Sequence, residues 1–356
     1  MPTGREEEWR FTPMRRVRDL LERADSYSPI EAAVDGPDGV QVERVPMNDD
    51  RVGTVMAPGD RPAALAWEGS PEALLVTIPE DLELDQPVIV NVLSPEAPSA
   101  GHIVVRTKPH AKARVIVLHD GPARLNETLE IRADAGSTLD VVVVQNWDRD
   151  ALATTSHRVS AGRDSHLSHM VVTLGGDLVR TTVDSDMAEE GANVHLNGAY
   201  FVDAGQHLEH RVFIHHEAAN CYSRSAYKGA LQGKGAHSVW IGDCLIDSDA
   251  DNTDTYELNR NLILTEGAKA DSVPNLEIKN GEIEGAGHAS ATGRFDDDQL
   301  FYLMSRGVPP LDARRLVVRG FFAELINQVG DKELTDLLME EIDKRLQDYG
   351  KTLGED

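Results

Sequence analysis

Between about residue 86 and residue 295 the chain strings together short apolar or β-branched runs, and no convincing amphipathic helix interrupts them. The runs "PVIVNVL" (87–93), "ARVIVL" (113–118), "LDVVVVQNW" (139–147) and "HMVVTL" (169–174) are six to nine residues long, the length of strands rather than helices. Small-residue pairs punctuate them: Ala135-Gly136, Ala161-Gly162, Gly191-Ala192, Ala218-Ala219, Gly235-Ala236 and Gly267-Ala268. Their intervals are roughly 26–32 residues, with one near 17, which reads as an imperfect internal repeat. A solenoid, a barrel or stacked sandwiches could hold such strands. The period favours a β-helix-like solenoid, in which successive coils place a small residue at each corner.

The flanks differ. Trp9, Met14, Val17, Leu20 and Leu21 recur at helical spacing within residues 1–30, and the stretch to about residue 80 mixes short strands with Pro and Gly breakers. Past residue 295 the chain reads as helical. Asp296 with Gln299 resembles a capping box, and Leu300, Leu303 and Met304 form a stripe that Gly307 ends. After Pro309 and Pro310, a longer helix carries Leu316, Val317, Phe321, Leu325 and Val329 on one face. Leu334, Leu337, Leu338, Ile342 and Leu346 predict a last helix. The expected division is an N-terminal helical and mixed region (1–80), a β-helix core (81–295) and a C-terminal helical domain (296–356).

The net charge of −26 argues against nucleic-acid or anionic-membrane partners, which need concentrated Lys and Arg. Two cysteines, Cys221 and Cys244, are too few for a disulfide framework. With no leader and no bilayer-length apolar run, the expectation is a soluble, cytoplasmic protein.

Motifs for catalysis are weak. "GALQGKGAH" (229–237) is one residue short of a phosphate loop and lacks the following Ser or Thr. "DSDADNTDTYEL" (247–258) has Asn252 where a calcium loop needs glycine and Leu258 where it needs glutamate. His207, His210, His215 and His216 crowd "HLEHRVFIHH", but in a strand His215 and His216 face opposite sides. A metal-dependent β-helix enzyme on these histidines, or a carboxylate enzyme acting on a polysaccharide, is the alternative reading. His288 stands apart. It lies among glycine, alanine, serine and threonine just before the helical end, where small neighbours leave an imidazole open to a partner.

The segment "PNLEIKNGEIEGAGHASATGRFDDDQLFYLMSRGVPPLDARRLVVRGFFAELI" (274–326) resembles the SufB/SufD family of iron–sulfur cluster assembly scaffolds. The likeness rests on Pro274, "LEI" at 276–278, His288, Thr292-Gly293, "DDDQLFYLMSRG", Ala313-Arg314 and "RGFFAEL", with "SRSAYKGAL", "NRNLIL" and the opening "EEEWRFTP" in order. Ile278 and Ala289 stand where SufB-type chains carry cysteine and glutamate, so the sequence is similar to the SufD branch. Some SufD chains have a cysteine where this one has Ala286. The resemblance implies a right-handed parallel β-helix between helical ends, and a non-catalytic subunit. It would pair with SufB, bind the ATPase SufC through its C-terminal helices, and have a homodimer open to it when isolated. It further implies that His288 is a ligand for a transient iron–sulfur cluster shared with SufB, and that Leu316, Phe321 and Leu325 lie on the helix that docks the ATPase.

Overall fold

The computed structural model describes residues 1–55, 57–295 and 297–352. The expected cap, Asp296 with the side chain of Gln299, lies outside the described residues. The N-terminal part forms α1 (Met14–Leu21), β1 (Ser28–Pro29), β2 (Glu31–Asp35), β3 (Gln41–Pro46), α2 (Arg61–Gly69) and β4 (Glu72–Ile78). Then come β5 (Val88–Leu93), β6 (Ser99–Thr107), β7 (Lys112–Gly121), β8 (Arg124–Ala133), β9 (Thr138–Trp147), β10 (Leu152–Ala161), β11 (His166–Thr173) and β12 (Leu178–Met187). The series continues with β13 (Asn193–Val202), β14 (His207–His216), β15 (Tyr222–Leu231), β16 (His237–Ile246), β17 (Asp254–Ile263), β18 (Lys269–Ile278) and β19 (Gly285–Arg294). Helices α3 (Asp297–Ser305), α4 (Pro310–Ile326) and α5 (Lys332–Thr352) follow.

Even-numbered strands from β4 to β18 pair in parallel in one sheet, and odd-numbered strands from β5 to β19 in the other. Each coil contributes one strand to each sheet, giving a parallel β-solenoid of about 8 turns. Antiparallel strands β2 and β3 close its first end. At the other end, among the described residues, β18 and β19 carry no further strand.

The corners explain the irregular period. Asp81, His110, Gly136, Asp164, Gly191, Asn220 and Asn252 all have positive φ at the same corner of successive coils, a conformation that Gly, Asn and Asp tolerate best. Their N–H groups bond coil to coil, as Gly136 donates to the Arg163 carbonyl (2.9 Å) and Asp164 to that of Glu190 (3.1 Å). The small-residue pairs from 135–136 to 218–219 flank this corner, whereas 235–236 and 267–268 lie at the opposite one. The interval near 17 residues is therefore half a coil.

Valines and leucines from both sheets fill the interior. The outer face of the odd sheet is apolar as well: Ile116, Val142, Val144 and Val172 pack beneath Val318, Phe322, Leu325, Ile326, Val329 and residues of α5. Strands buried on both faces lose the polar alternation, hence the unbroken run "DVVVVQ". In the buried stripe of α4, Val318 and Phe322 stand in place of Val317 and Phe321, whereas Leu325 and, just past the helix, Val329 are buried as expected.

At the N-terminus the helix is confined to Met14–Leu21, and a second one, α2, was not anticipated. Asp60 caps α2 by accepting the Ala63 N–H (2.9 Å), with Pro62 in its first turn. The N-terminal segment is clamped to the even sheet. Trp9 lies under the Arg180 guanidinium (4.1 Å), and the Thr12 hydroxyl donates to Glu209 (2.7 Å). Arg180 also bridges Asp60 (2.8 Å) and Glu209 (3.2 Å). Burial alone would raise the Glu209 carboxyl, but His207, Arg180 and Thr12 together hold it down at about 2.

Candidate functional site

Strand β17 alternates strictly: Thr255, Glu257, Asn259 and Asn261 are buried, while Tyr256 and Arg260 are exposed. Its register with β19 pairs Thr255 with Ala286, Glu257 with His288 and Asn259 with Ser290. His288 therefore continues an inward-facing row of the solenoid. It is nevertheless exposed, because among the described residues no further coil covers the last one. Its accessibility comes from the end of the stack more than from its small neighbours.

Directly beneath it, Glu257 is 1% exposed, and neither carboxylate oxygen has a hydrogen-bond partner among the described residues. Gly242 on β16 makes room, since a Cβ there would come within 2.8 Å of Glu257 Oε1. Burial pushes the Glu257 carboxyl up to about 8, with the charge of Asp243 adding to the effect. This residue escaped the sequence reading. Its alternation with Thr255 and Asn259 hinted at an inward position, but nothing local signalled a missing partner.

The thiols are not poised for metal chemistry. Cys244 sits 3.6 Å from the Thr255 hydroxyl, and burial pushes it up to about 12. Burial also raises Cys221, which is 1% exposed. With alanine at position 286, the row that holds His288 offers its imidazole and the hydroxyls of Ser290 and Thr292 but no accessible thiol.

The four histidines of β14 separate by parity. His210 and His216 share the parity of the core residues Leu208, Val212 and Ile214, so they point inward, where burial lowers them to about 3 and about 4. His207 and His215 point outward; His207 meets His237 (3.1 Å) and Glu209 (3.3 Å). They do not form one metal centre. "GALQGKGAH" is the end of β15 with its corner, and "DSDADNTDTYEL" is the corner that leads into β17.

The proposed docking residues also part company. Leu316 is 52% exposed, Phe321 is half-buried, and Leu325 is 1% exposed because it packs on the odd sheet. Leu325 therefore holds α4 to its own solenoid and presents no surface to a partner. Phe301 and Tyr302 on α3 are 72% and 58% exposed, with Leu337 on α5 also exposed. The run "LFYLM" (300–304) was the signal for them: a run apolar at every position cannot bury all of its faces on one side.

Residues 91–321 match the family described as "SUF system FeS cluster assembly, SufBD core domain". An iron–sulfur cluster assembly SufBD family protein of Mycobacterium bovis is 44% identical over 356 residues, covering 98% of this chain and 90% of that protein. A SufBD family protein of Mycobacterium leprae is 42% identical, covering 97% and 91%. The iron–sulfur cluster assembly protein SufD of Escherichia coli is 23% identical, covering 97% and 89%.

Proposed function

The chain belongs to the SufBD family and to iron–sulfur cluster assembly, and on that premise we propose that it is a non-catalytic, SufD-type scaffold subunit. It pairs with a SufB-type chain at the open end of its solenoid and holds the nascent cluster, its cargo, through His288. The observation that carries this reading is an inward-row histidine left exposed by an uncovered final coil. Strand β19 has no acidic residue and only one arginine, at its very end. Edge strands that stay unpaired usually carry charges or prolines against further pairing. An edge this plain fits a strand that a partner covers, by a SufB-type chain in the complex or by a second copy in the isolated protein.

The ligand chemistry is consistent with sharing. Iron–sulfur clusters need thiolates, and imidazole can complete the coordination of an iron. This chain keeps both thiols buried, so the sulfur ligands come from the partner and one unprotonated imidazole from here. The exposed apolar side chains Phe301, Tyr302, Leu316 and Leu337 support docking of a SufC-type ATPase on the C-terminal helices. Nucleotide hydrolysis then belongs to that partner. Of the aromatics, Tyr200, Tyr227, Phe201 and Trp240 are fully buried, so none of these four provides a sugar platform for the enzyme alternative.

Co-expression with a SufB-type chain and a SufC-type ATPase tests the proposal. The expected result is a stable complex that gains a cluster chromophore, with hydrogen-exchange protection of 262–294 on complex formation. Protection confined to residues 1–80, or no complex, would overturn it.

A further inference from the structure

We propose that Asp186, His215 and Glu217, on the outer face of the even sheet, form a binding site for one first-row divalent transition-metal cation. Their ligand atoms lie within 4.8 Å of one another. His215 Nδ1 stands 3.4 Å from Asp186 Oδ1 and 3.0 Å from Glu217 Oε1. Separations near 3 Å are what adjacent ligands at metal bonds of about 2.0–2.2 Å give.

The backbone holds these groups before any cation arrives. Asp186 and His215 are register partners on β12 and β14. Glu217 follows one residue after β14, its N–H donating to the Met187 carbonyl (3.2 Å). The other ring nitrogen supplies the independent argument. His215 Nε2 is 2.8 Å from Asp247 Oδ2, and Lys279 Nζ holds Asp247 Oδ1 at 3.0 Å. An Nε2–H donated to that carboxylate leaves the Nδ1 lone pair facing Asp186 and Glu217. A carboxylate that orients a histidine in this way is the usual outer support of a metal-bound imidazole.

Charge points the same way. With the imidazole neutral, three carboxylates face one ammonium, from Lys279. The donor set of one nitrogen and two carboxylate oxygens suits Fe²⁺, Mn²⁺, Co²⁺ or Zn²⁺; Mg²⁺ and Ca²⁺ favour all-oxygen shells, and soft ions favour sulfur. The His215, Asp186 and Glu217 side chains are 17%, 31% and 40% exposed, so the remaining coordination positions open to solvent and a cation can enter and leave. The inference does not depend on the role of His288, which lies on the other sheet and faces inward.

Titration of the untagged full chain with Co²⁺ at pH 7.5, followed by its visible absorption and by competition with Zn²⁺, tests this site. The expected result is one equivalent bound, lost in His215→Gln and Glu217→Gln, and weakened roughly 10–100-fold in Asp247→Asn. His288→Gln should bind like the wild type. The competing arrangement is an imidazolium clamped by carboxylates, which gives no cobalt band. Absence of the band, or a band that survives both His215→Gln and Glu217→Gln with their circular dichroism unchanged, would overturn the assignment.

Discussion

His288 and Glu257 stand side by side on the last pair of parallel strands, the imidazole exposed and the carboxyl sealed beneath it with no hydrogen-bond partner among the described residues. The pair marks the boundary between a closed interior and an open end. A carboxyl held near pH 8 is protonated at neutral pH, so the coil below His288 presents a neutral group to whatever the imidazole binds.

That carboxyl makes stability depend on pH. Its value is about 8 when folded against an ordinary 4.5, so above pH 4.5 the unfolded chain ionises while the folded one does not. Stability from this group should fall between about pH 4.5 and 8 and level off beyond, by on the order of 5 kcal/mol. Glu257→Gln should match the wild type near pH 4.5 and surpass it at pH 8.5, read as urea midpoints. Parallel pH curves for the two proteins would show that Glu257 ionises freely.

Glu209 works in the opposite sense. Its carboxyl is held near 2 by His207, Arg180 and Thr12 against the cost of burial. Its contribution is therefore complete above about pH 4.5 and lost as pH falls toward 2. Glu209→Gln leaves Arg180 with Asp60 as its one carboxylate partner among the described residues, and breaking a buried pair costs roughly 3–5 kcal/mol. The expected readout is faster hydrogen exchange across residues 9–21, with α4 and α5 unaffected. Equal exchange in both proteins would mean that the N-terminal segment is held elsewhere.

Much of this fold could be read from the residues, for a physical reason. Odd strands sit between the interior and the helices, so they lose polar alternation and stand out as apolar runs, while corner residues with positive φ leave a trail of Gly, Asn and Asp. The helix α2 was hidden because its short sequence lies among Pro and Gly breakers. Long-range register hid the rest. Glu257 lies against His288 because one coil separates them, and Asp186, His215 and Asp247 converge for the same reason. No local pattern carries such a coincidence. The docking helix was only partly legible: an apolar stripe does not say which of its members the protein needs for itself, and Leu325 is one that it does.

That division of labour predicts different outcomes across the C-terminal helices α3 and α4. Phe301→Asp with Leu316→Asp should lower ATPase affinity by roughly 100-fold or more, as expected for exposed apolar anchors, and leave the strand-dominated circular dichroism intact. Leu325→Asp should instead lower the melting temperature, because it buries a charge against the odd sheet. Undiminished binding by the double variant would remove α3 and α4 as the docking surface.

The role of His288 rests on separating a ligand from a structural residue. An exposed side chain in the final coil supports little of the fold, so His288→Ala should melt within a few degrees of the wild type and still assemble with a SufB-type chain. A structural histidine predicts the reverse, a loss of about 1 kcal/mol through one missing hydrogen bond. His288→Gln sharpens the contrast, since an amide replaces a hydrogen bond but is a poor iron ligand. In cells dependent on this assembly system, both substitutions should abolish or severely reduce cluster formation while the complex remains intact. Glu257→Gln offers a second comparison. It preserves a neutral group beneath the imidazole but removes the exchangeable carboxyl proton, so cluster formation that survives it assigns the chemistry to His288 alone. If His288→Ala matured clusters at the wild-type rate, the open end would serve only for pairing, and the partner would have to supply every protein ligand.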